Sequence, residues 1–220
     1  MKYLYIVTIT YKIMNSYLKF SLNEKQQNFN PTPENKALYG EVNTPYSLIN
    51  EMLNLIELET HDAFSNPNLK WLDPACGCGY YAHVLYVRLM NGLSDTIKCH
   101  TKRRKHILEN MIYMCEINPD NIKQIRKTFN YTINLFNLDF LSTNKEIFFQ
   151  KTNLTHETQY FDYIIGNPPY NANGLKKVPT LKNRSKKQDG YTVWDAFVKH
   201  SCSLLNPTSG KLSFIIPSIW

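Results

Sequence analysis

The sequence predicts an α/β fold, a parallel sheet with helices on both faces. Three observations carry that expectation. Short apolar runs alternate with segments whose apolar residues recur at helical spacing. Several of those runs lack the polar alternation of a strand with one wet face, as strands covered on both sides do. A glycine-rich turn, Asp73-Pro74-Ala75-Cys76-Gly77-Cys78-Gly79, joins the first strong run to the helix after it. With 220 residues, 43% apolar and 20% charged, the chain has apolar residues enough for one core and is not a mostly disordered sequence. No run approaches the ~18 apolar residues of a membrane span. Thr8, Thr10 and Lys12 interrupt the apolar opening, and no small-residue cleavage site follows, which argues against a signal peptide. Five cysteines, an odd number without a compact framework, point to a reduced, intracellular setting.

Residues 1–35 read as a poorly defined extension: a β-like start, then a polar stretch from Asn23 to Asn35 with Pro31 and Pro33. Met14 is a candidate alternative start, which would make the first 13 residues dispensable. From residue 36 onward the chain reads as one catalytic domain. Thr44 is placed to cap a helix whose first residue is Pro45, with Leu48, Ile49, Met52, Leu53 and Ile56 as its apolar stripe. Residues 69–72 form a short buried strand, and a helix over 81–90 is closed by Gly92. A second strand covers 111–116, and Ile122, Ile125 and Phe129 mark the helix after it. A third strand, 131–138, is followed by a polar connection over 142–159 and by a continuous apolar strand, 161–165. Thr192 and Asp195 form a capping box ahead of a helix carrying Val193, Trp194, Phe197, Val198, Leu204 and Leu205. A fifth strand over 212–216 ends at Pro217.

The net charge of +7 is concentrated in two segments. Lys98, Lys102, Arg103, Arg104 and Lys105 make one, and Lys176, Lys177, Lys182, Arg184, Lys186 and Lys187 the other; outside them acids outnumber bases. Basicity gathered in this way fits contact with a polyanion, and two solvated loops would give the same pattern.

The chemistry-bearing residues sit at strand ends. The Gly-x-Gly bend allows close approach of a ligand to the backbone at a helix N-terminus, and Asp73 at the strand end suits a cationic amino group. Glu116 ends the second strand, where open α/β sheets present a carboxylate to a ribose diol. Asp139 follows the third strand and suits an adenine amino group. Cys99, His100, His106 and Cys115 have the spacing of no familiar metal site, so no metal is expected. Asn167-Pro168-Pro169-Tyr170 follows the fourth strand directly. The prolines remove N–H donors and leave carbonyls. The Asn167 oxygen and the Pro168 carbonyl can accept both hydrogens of a flat amino group, favouring a pyramidal nitrogen whose lone pair is free to attack. Tyr170 offers a face on which an extruded base stacks.

These segments together resemble the S-adenosylmethionine-dependent, adenine-specific DNA methyltransferases of the Asn-Pro-Pro-Tyr type, in the restriction–modification branch. The matching motifs are Asp73-Pro-Ala-Cys-Gly-x-Gly79, Glu116-Ile-Asn-Pro119, Asp139-Phe140 and Asn167-Pro-Pro-Tyr170. Gly40-Glu41-Val42-Asn43-Thr44-Pro45 resembles that branch's extra cofactor motif, and Trp194-Asp-Ala-Phe197 and Gly210–Pro217 its next helix and strand. The resemblance implies a Rossmann-like methyltransferase fold whose C-terminal strands and target-recognition region are missing from this sequence. It also implies that Asp73, Ala75, Gly77 and Gly79, with Thr44 and Pro45, hold the methionine part of S-adenosyl-L-methionine. Glu116 would take its ribose, and Asp139 its adenine, with Ile117 and Phe140 against the ring. Asn167, Pro168, Pro169 and Tyr170 would handle the target adenine. Lys176, Lys177, Lys182, Arg184, Lys186 and Lys187 would contact double-stranded DNA. Cys78 and Tyr80 depart from the usual pattern. The expected partners are DNA and a second chain supplying target recognition, with no membrane. The alternatives are a protein-glutamine or RNA-base methyltransferase with the same motif, or a non-catalytic DNA- or cofactor-binding remnant.

Overall fold

A computed structural model describes residues 39–152, 160–172 and 191–217, together with the backbone of residues 4–7. Within them lie β1 (Leu4–Val7), α1 (Tyr46–Glu59), β2 (Trp71–Asp73), α2 (Tyr80–Gly92) and α3 (His100–His106), which runs on into a π-helical turn, Ile107–Met111. β3 (Ile112–Glu116), α4 (Pro119–Phe129) and β4 (Asn134–Asn137) follow, then a 3₁₀ turn at Phe140–Ser142 and α5 (Lys145–Thr152). β5 (Tyr163–Gly166), β6 (Asn171–Ala172), β7 (Tyr191–Thr192), α6 (Trp194–Leu204) and β8 (Lys211–Ile215) complete the order. Six parallel strands form one sheet in the order β1-β8-β5-β2-β3-β4, and β6 and β7 pair antiparallel as a separate ladder.

The sheet strands alternate their side chains between two apolar clusters, which is why few positions along them are polar. Trp71, Ile112, Met114, Tyr163 and Ile165 face α1, α2 and α4. Leu72, Tyr113, Ile164, Leu212 and Phe214 face the other way, onto α5 and α6. Trp71 is stacked between Phe64 and Tyr163, with ring centroids 5.4 and 4.0 Å away. α4 starts on Asn118, whose side chain accepts from the Asp120 N–H, has Pro119 at its first position, and ends on Asn130 at φ 44°.

Several local expectations are corrected. Thr44 does not cap α1: Pro45 occupies the cap position with no side-chain hydrogen bond, and the Thr44 hydroxyl is turned to Asn167. The Thr192–Asp195 capping box does not form, because Thr192 belongs to β7 and Val193 precedes the helix. Gly92 is no left-handed cap; Leu93 ends α2, and Gly92 lies where a Cβ would meet the Phe64 carbonyl oxygen. The connection over 142–159 contains α5, held by Asn144, whose side-chain oxygen accepts from the Ile147 N–H, and by burial of Phe148 and Phe149. The first basic stretch is helix α3 and no loop; Arg103 is tied to the Ile97 carbonyl and Arg104 to the Phe129 carbonyl. Residues 4–7 are not idle, since β1 lies beside β8 with Leu4 opposite Leu212. Among the described residues no helix is long and apolar enough to cross a membrane.

Candidate active site

Strand order places the site. The chain leaves β2 toward β3 on one side, whereas β5 lies on the other side and leads to β8, so a crevice opens at the carboxyl ends of β2 and β5. A cavity of about 290 Å³ lies there, walled by residues 39–44, the glycine turn, the ends of β3, β4 and β5, and the start of α6.

The glycine turn is fixed by three hydrogen bonds: Cys76 N–H to the Cys115 carbonyl (3.0 Å), Gly79 N–H to the Cys76 carbonyl (2.8 Å), and Gly77 N–H to Glu116 Oε2 (2.7 Å). Gly77 and Gly79 both have positive φ, 53° and 80°. At Gly77 a Cβ would meet nothing among the described residues within 4 Å, so the bare backbone faces the cavity. At Gly79, whose positive φ itself favours glycine, a Cβ would also sit a tight 3.2 Å from Ile125 Cγ1 on α4.

Two carboxyls lie under this turn. Glu116 is buried, and its Oε1 also accepts from the Asn118 N–H at 2.7 Å. Burial pushes it up to about 7 against the pull of those backbone bonds. Asp73 is buried, with Oδ1 accepting from the Ala75 N–H at 3.2 Å and Oδ2 without a partner among the described residues. Burial pushes it up to about 8; the Ala75 bond opposes and the charge on Glu116 adds.

Across the cavity, Asn167 follows β5. Its Nδ2 donates to Thr44 Oγ1 at 3.2 Å, which leaves Oδ1 as the acceptor, buried and without a partner among the described residues. Residues 39–45 cross over this loop: a Cβ on Gly40 would lie 3.1 Å from both the Asn171 carbonyl oxygen and Pro169 Cβ. The β6–β7 ladder and the bond from Val193 N–H to the Tyr170 carbonyl (3.0 Å) hold the loop in place.

Of the residues singled out from sequence, Thr44, Ala75, Gly77, Glu116, Ile117, Asp139, Phe140, Asn167 and Pro169 line the cavity. Asp73, Gly79 and Pro168 are buried, Pro45 is exposed and Tyr170 half-buried. Asp139 caps the 3₁₀ turn through Oδ1, which accepts from the Leu141 N–H. Phe140 is packed on Phe197, stacked at 5.5 Å, and on His200 at 4.4 Å, whereas Ile117 is 47% exposed. Lys176, Lys177, Lys182, Arg184, Lys186 and Lys187 lie outside the described residues. α3 precedes β3 and so stands at the end of the sheet opposite the cavity. Among the described residues no group of three or more His, Cys, Asp or Glu could hold a metal ion.

Sequence reading assigned no role to several wall residues. Val193 and Phe197 look like core stripe and are wall as well as core. Tyr80 packs on Tyr46 at 5.2 Å, and the Cys78 thiol donates to Asn121 Oδ1 at 3.4 Å, so the two departures from the family pattern fit into the turn without breaking it. Glu41 stands in the cofactor motif by resemblance, but its hydrogen bonds to Asn118 and Asn121, 77 and 80 residues away, leave no local signal.

Comparison with known proteins gives the same picture. Residues 7–220 match the family model described as Eco57I restriction-modification methylase. A Mycoplasma pneumoniae protein named as an uncharacterized adenine-specific methylase is 33% identical over 93 residues, which are 42% of this chain and 22% of that one. The DrdV–DNA complex superposes with a TM-score of 0.58 at 17% identity, over 84% of this chain and 21% of DrdV. The methyltransferase subunit of a type I restriction-modification system from Streptococcus thermophilus does so with a TM-score of 0.50 at 18% identity, over 80% of this chain and 34% of the subunit. The chain therefore spans about a fifth of the length of the first two relatives and a third of the other. At these identities the solved structures establish the fold, and the match over nearly the whole sequence establishes the family: the chain belongs to the Eco57I restriction-modification methylases.

Proposed function

We propose that this chain carries the cofactor pocket and the amine-binding strand end of an adenine-specific DNA methyltransferase. The observation that carries the reading is the state of Asn167. Its amide nitrogen is committed to Thr44, and its oxygen is a buried acceptor with no partner among the described residues, at the wall of a cavity whose opposite side is bare glycine backbone. A buried acceptor without a donor costs about 1–3 kcal/mol, a cost that an arriving amino group removes.

The wall fits S-adenosyl-L-methionine. The turn at Gly77 admits a ligand against the backbone, Asp73 keeps an oxygen with no partner among the described residues beneath it, and Glu116 and Asp139 line the same cavity as acceptors for hydroxyl and amino donors. Bound there, the cofactor supplies an electrophilic methyl group on a sulfonium. The chain's own residues then orient: Asn167 and the Pro168 carbonyl accept the two hydrogens of the target amine and localise its lone pair. The two sides of the cavity would hold the methyl donor and the target amine against one another. Tyr170 supports the displaced base from beside the cavity. No side chain serves as a strong base. The substrate is double-stranded DNA in this reading, supported by the family and by the likeness to DrdV, which was solved on DNA.

Transfer of labelled methyl to mixed duplex DNA, analysed as 6-methyladenine, tests the reading. Asn167→Ala is expected to lower transfer ~10²–10³-fold, as removal of one transition-state hydrogen bond does, while cofactor binding persists. Label entering RNA or protein in place of DNA would overturn the substrate. Transfer undiminished in the variant would overturn the site.

A further inference from the structure

We propose that Tyr81 is a positioning residue for Asn167: acting through Thr44, its hydroxyl fixes which end of the Asn167 amide faces the cavity. This rests on the reading of Asn167 as the acceptor for the target amine, and deepens it. Tyr81 stands in the first turn of α2 and lines the cavity together with Thr44 and Asn167. Tyr81 and Thr44 are both buried. Asn167 Nδ2 donates to Thr44 Oγ1 at 3.2 Å, and Tyr81 Oη donates to Met52 Sδ on α1, also at 3.2 Å. Between these two bonds the Thr44 and Tyr81 side chains are hydrogen-bonded to each other.

The far end of this row sets the direction of every bond in it. A thioether sulfur carries no proton, so Met52 can only accept and Tyr81 must donate to it. The phenol has one proton, and its oxygen is left to accept from Thr44. Burial pushes the Tyr81 phenol well above the ordinary range and the Thr44 bond pulls the other way, as a hydrogen bond received by the phenol oxygen does. Thr44 also has one proton, and with that given to Tyr81 its oxygen can only accept from Asn167. Of the two ends of the amide, only the NH₂ group suits such a partner. The reverse orientation would set Oδ1 against an oxygen with no proton to offer. It would also turn the NH₂ group toward the cavity, a donor facing the donors of a target amine. Asn167 Oδ1 is the atom left buried with no partner among the described residues. The Tyr81 ring belongs to the apolar core beside Met52, so phenylalanine there would keep the packing and lose only the hydroxyl.

The test is solvent exchange of the Asn167 side-chain amide protons, read by NMR on the full 220-residue chain. Isotope-labelled asparagine makes them visible, and their loss in Asn167→Asp assigns them. Slow exchange is expected in the unaltered chain. Tyr81→Phe frees the Thr44 proton for Asn167 Oδ1 and lets the amide turn its NH₂ group to the cavity. It is expected to speed exchange about tenfold, the worth of one mismatched buried pair. Met52→Leu conserves volume outside the cavity wall and removes the sulfur, and is expected to act in the same direction. The double variant is expected to exchange no faster than Tyr81→Phe alone, because both changes act on one row. Methyl transfer to duplex DNA is expected to fall ~2–10-fold in Tyr81→Phe, with S-adenosylhomocysteine binding unchanged. Exchange unaltered by Tyr81→Phe would overturn the proposal. Effects of the two variants that multiply would overturn it as well, since separate packing losses do that. So would a loss of cofactor affinity as large as the loss of transfer. Absence of transfer by the unaltered chain is a separate result: it bears on the reaction, and the exchange rates still decide whether Tyr81 orients the amide.

Discussion

Asp73 and Glu116 are neighbouring buried carboxyls, and among the described residues the cavity wall offers them no cation. Their protonation therefore ties stability to pH in the ligand-free protein. Burial raises Asp73 from 3.8 to about 8 and Glu116 from 4.5 to about 7. A carboxyl with a raised folded-state value binds its proton more tightly folded than unfolded. The stability it contributes is thus complete below about 4 and is lost as pH rises through 7 to 8. Thermal melts of the ligand-free chain are expected to fall over that range. Asp73→Asn, which stays neutral and keeps an acceptor for Ala75, is expected to flatten the upper part of the fall. A profile unchanged by Asp73→Asn would mean that Asp73 is ionised throughout. The acids themselves are visible in sequence as strand-end residues. What sequence does not show is that Glu116 holds the glycine turn through Gly77, or that Thr44 spends its hydroxyl on Asn167, because both bonds join residues far apart in the chain.

At the scale of elements, the readable parts are those whose pattern is local. The strands over 111–116 and 161–165 and the helix marked by Ile122, Ile125 and Phe129 are found as β3, β5 and α4 with ends moved by no more than two residues. α5 is missed because its burial rests on two adjacent phenylalanines, which have no helical period. The β6–β7 ladder is missed because it has two residues on each side and joins segments about twenty residues apart. β1 is undervalued because its partner, β8, lies two hundred residues away. Gly92 shows how one residue type carries different physics: read as a cap, it is a point of close approach. Its Cβ would lie 2.3 Å from the Phe64 carbonyl oxygen. Gly92→Ala is expected to destabilise by ~1–3 kcal/mol, in line with other overpacked contacts, as measured by urea melts. A neutral substitution would mean that α2 and the loop at Phe64 separate freely.

For the whole molecule, the site exists only when distant elements meet. The glycine turn comes from β2–α2, Glu116 from the end of β3, Glu41 and Thr44 from the segment before α1, and Asn167 from the end of β5. The parallel sheet that unites them follows from the alternation of strands and helices, so the fold class and the strand-end motifs are legible in the sequence, whereas the strand order is not. The fastening of residues 39–45 across the cavity is not, since Gly40 and Thr44 meet the loop after β5 and Glu41 meets the start of α4, all far away in the chain.

Gly77→Asn distinguishes a cavity that holds the methyl donor from one that does not. Asparagine tolerates the left-handed backbone that Gly77 adopts at φ 53°, so the turn is expected to survive, but its side chain would project into the cavity. Calorimetry with S-adenosyl-L-methionine is expected to show one saturable site on the unaltered chain and none on the variant, with both melting cooperatively. Equal binding by the two proteins would place the methyl donor elsewhere.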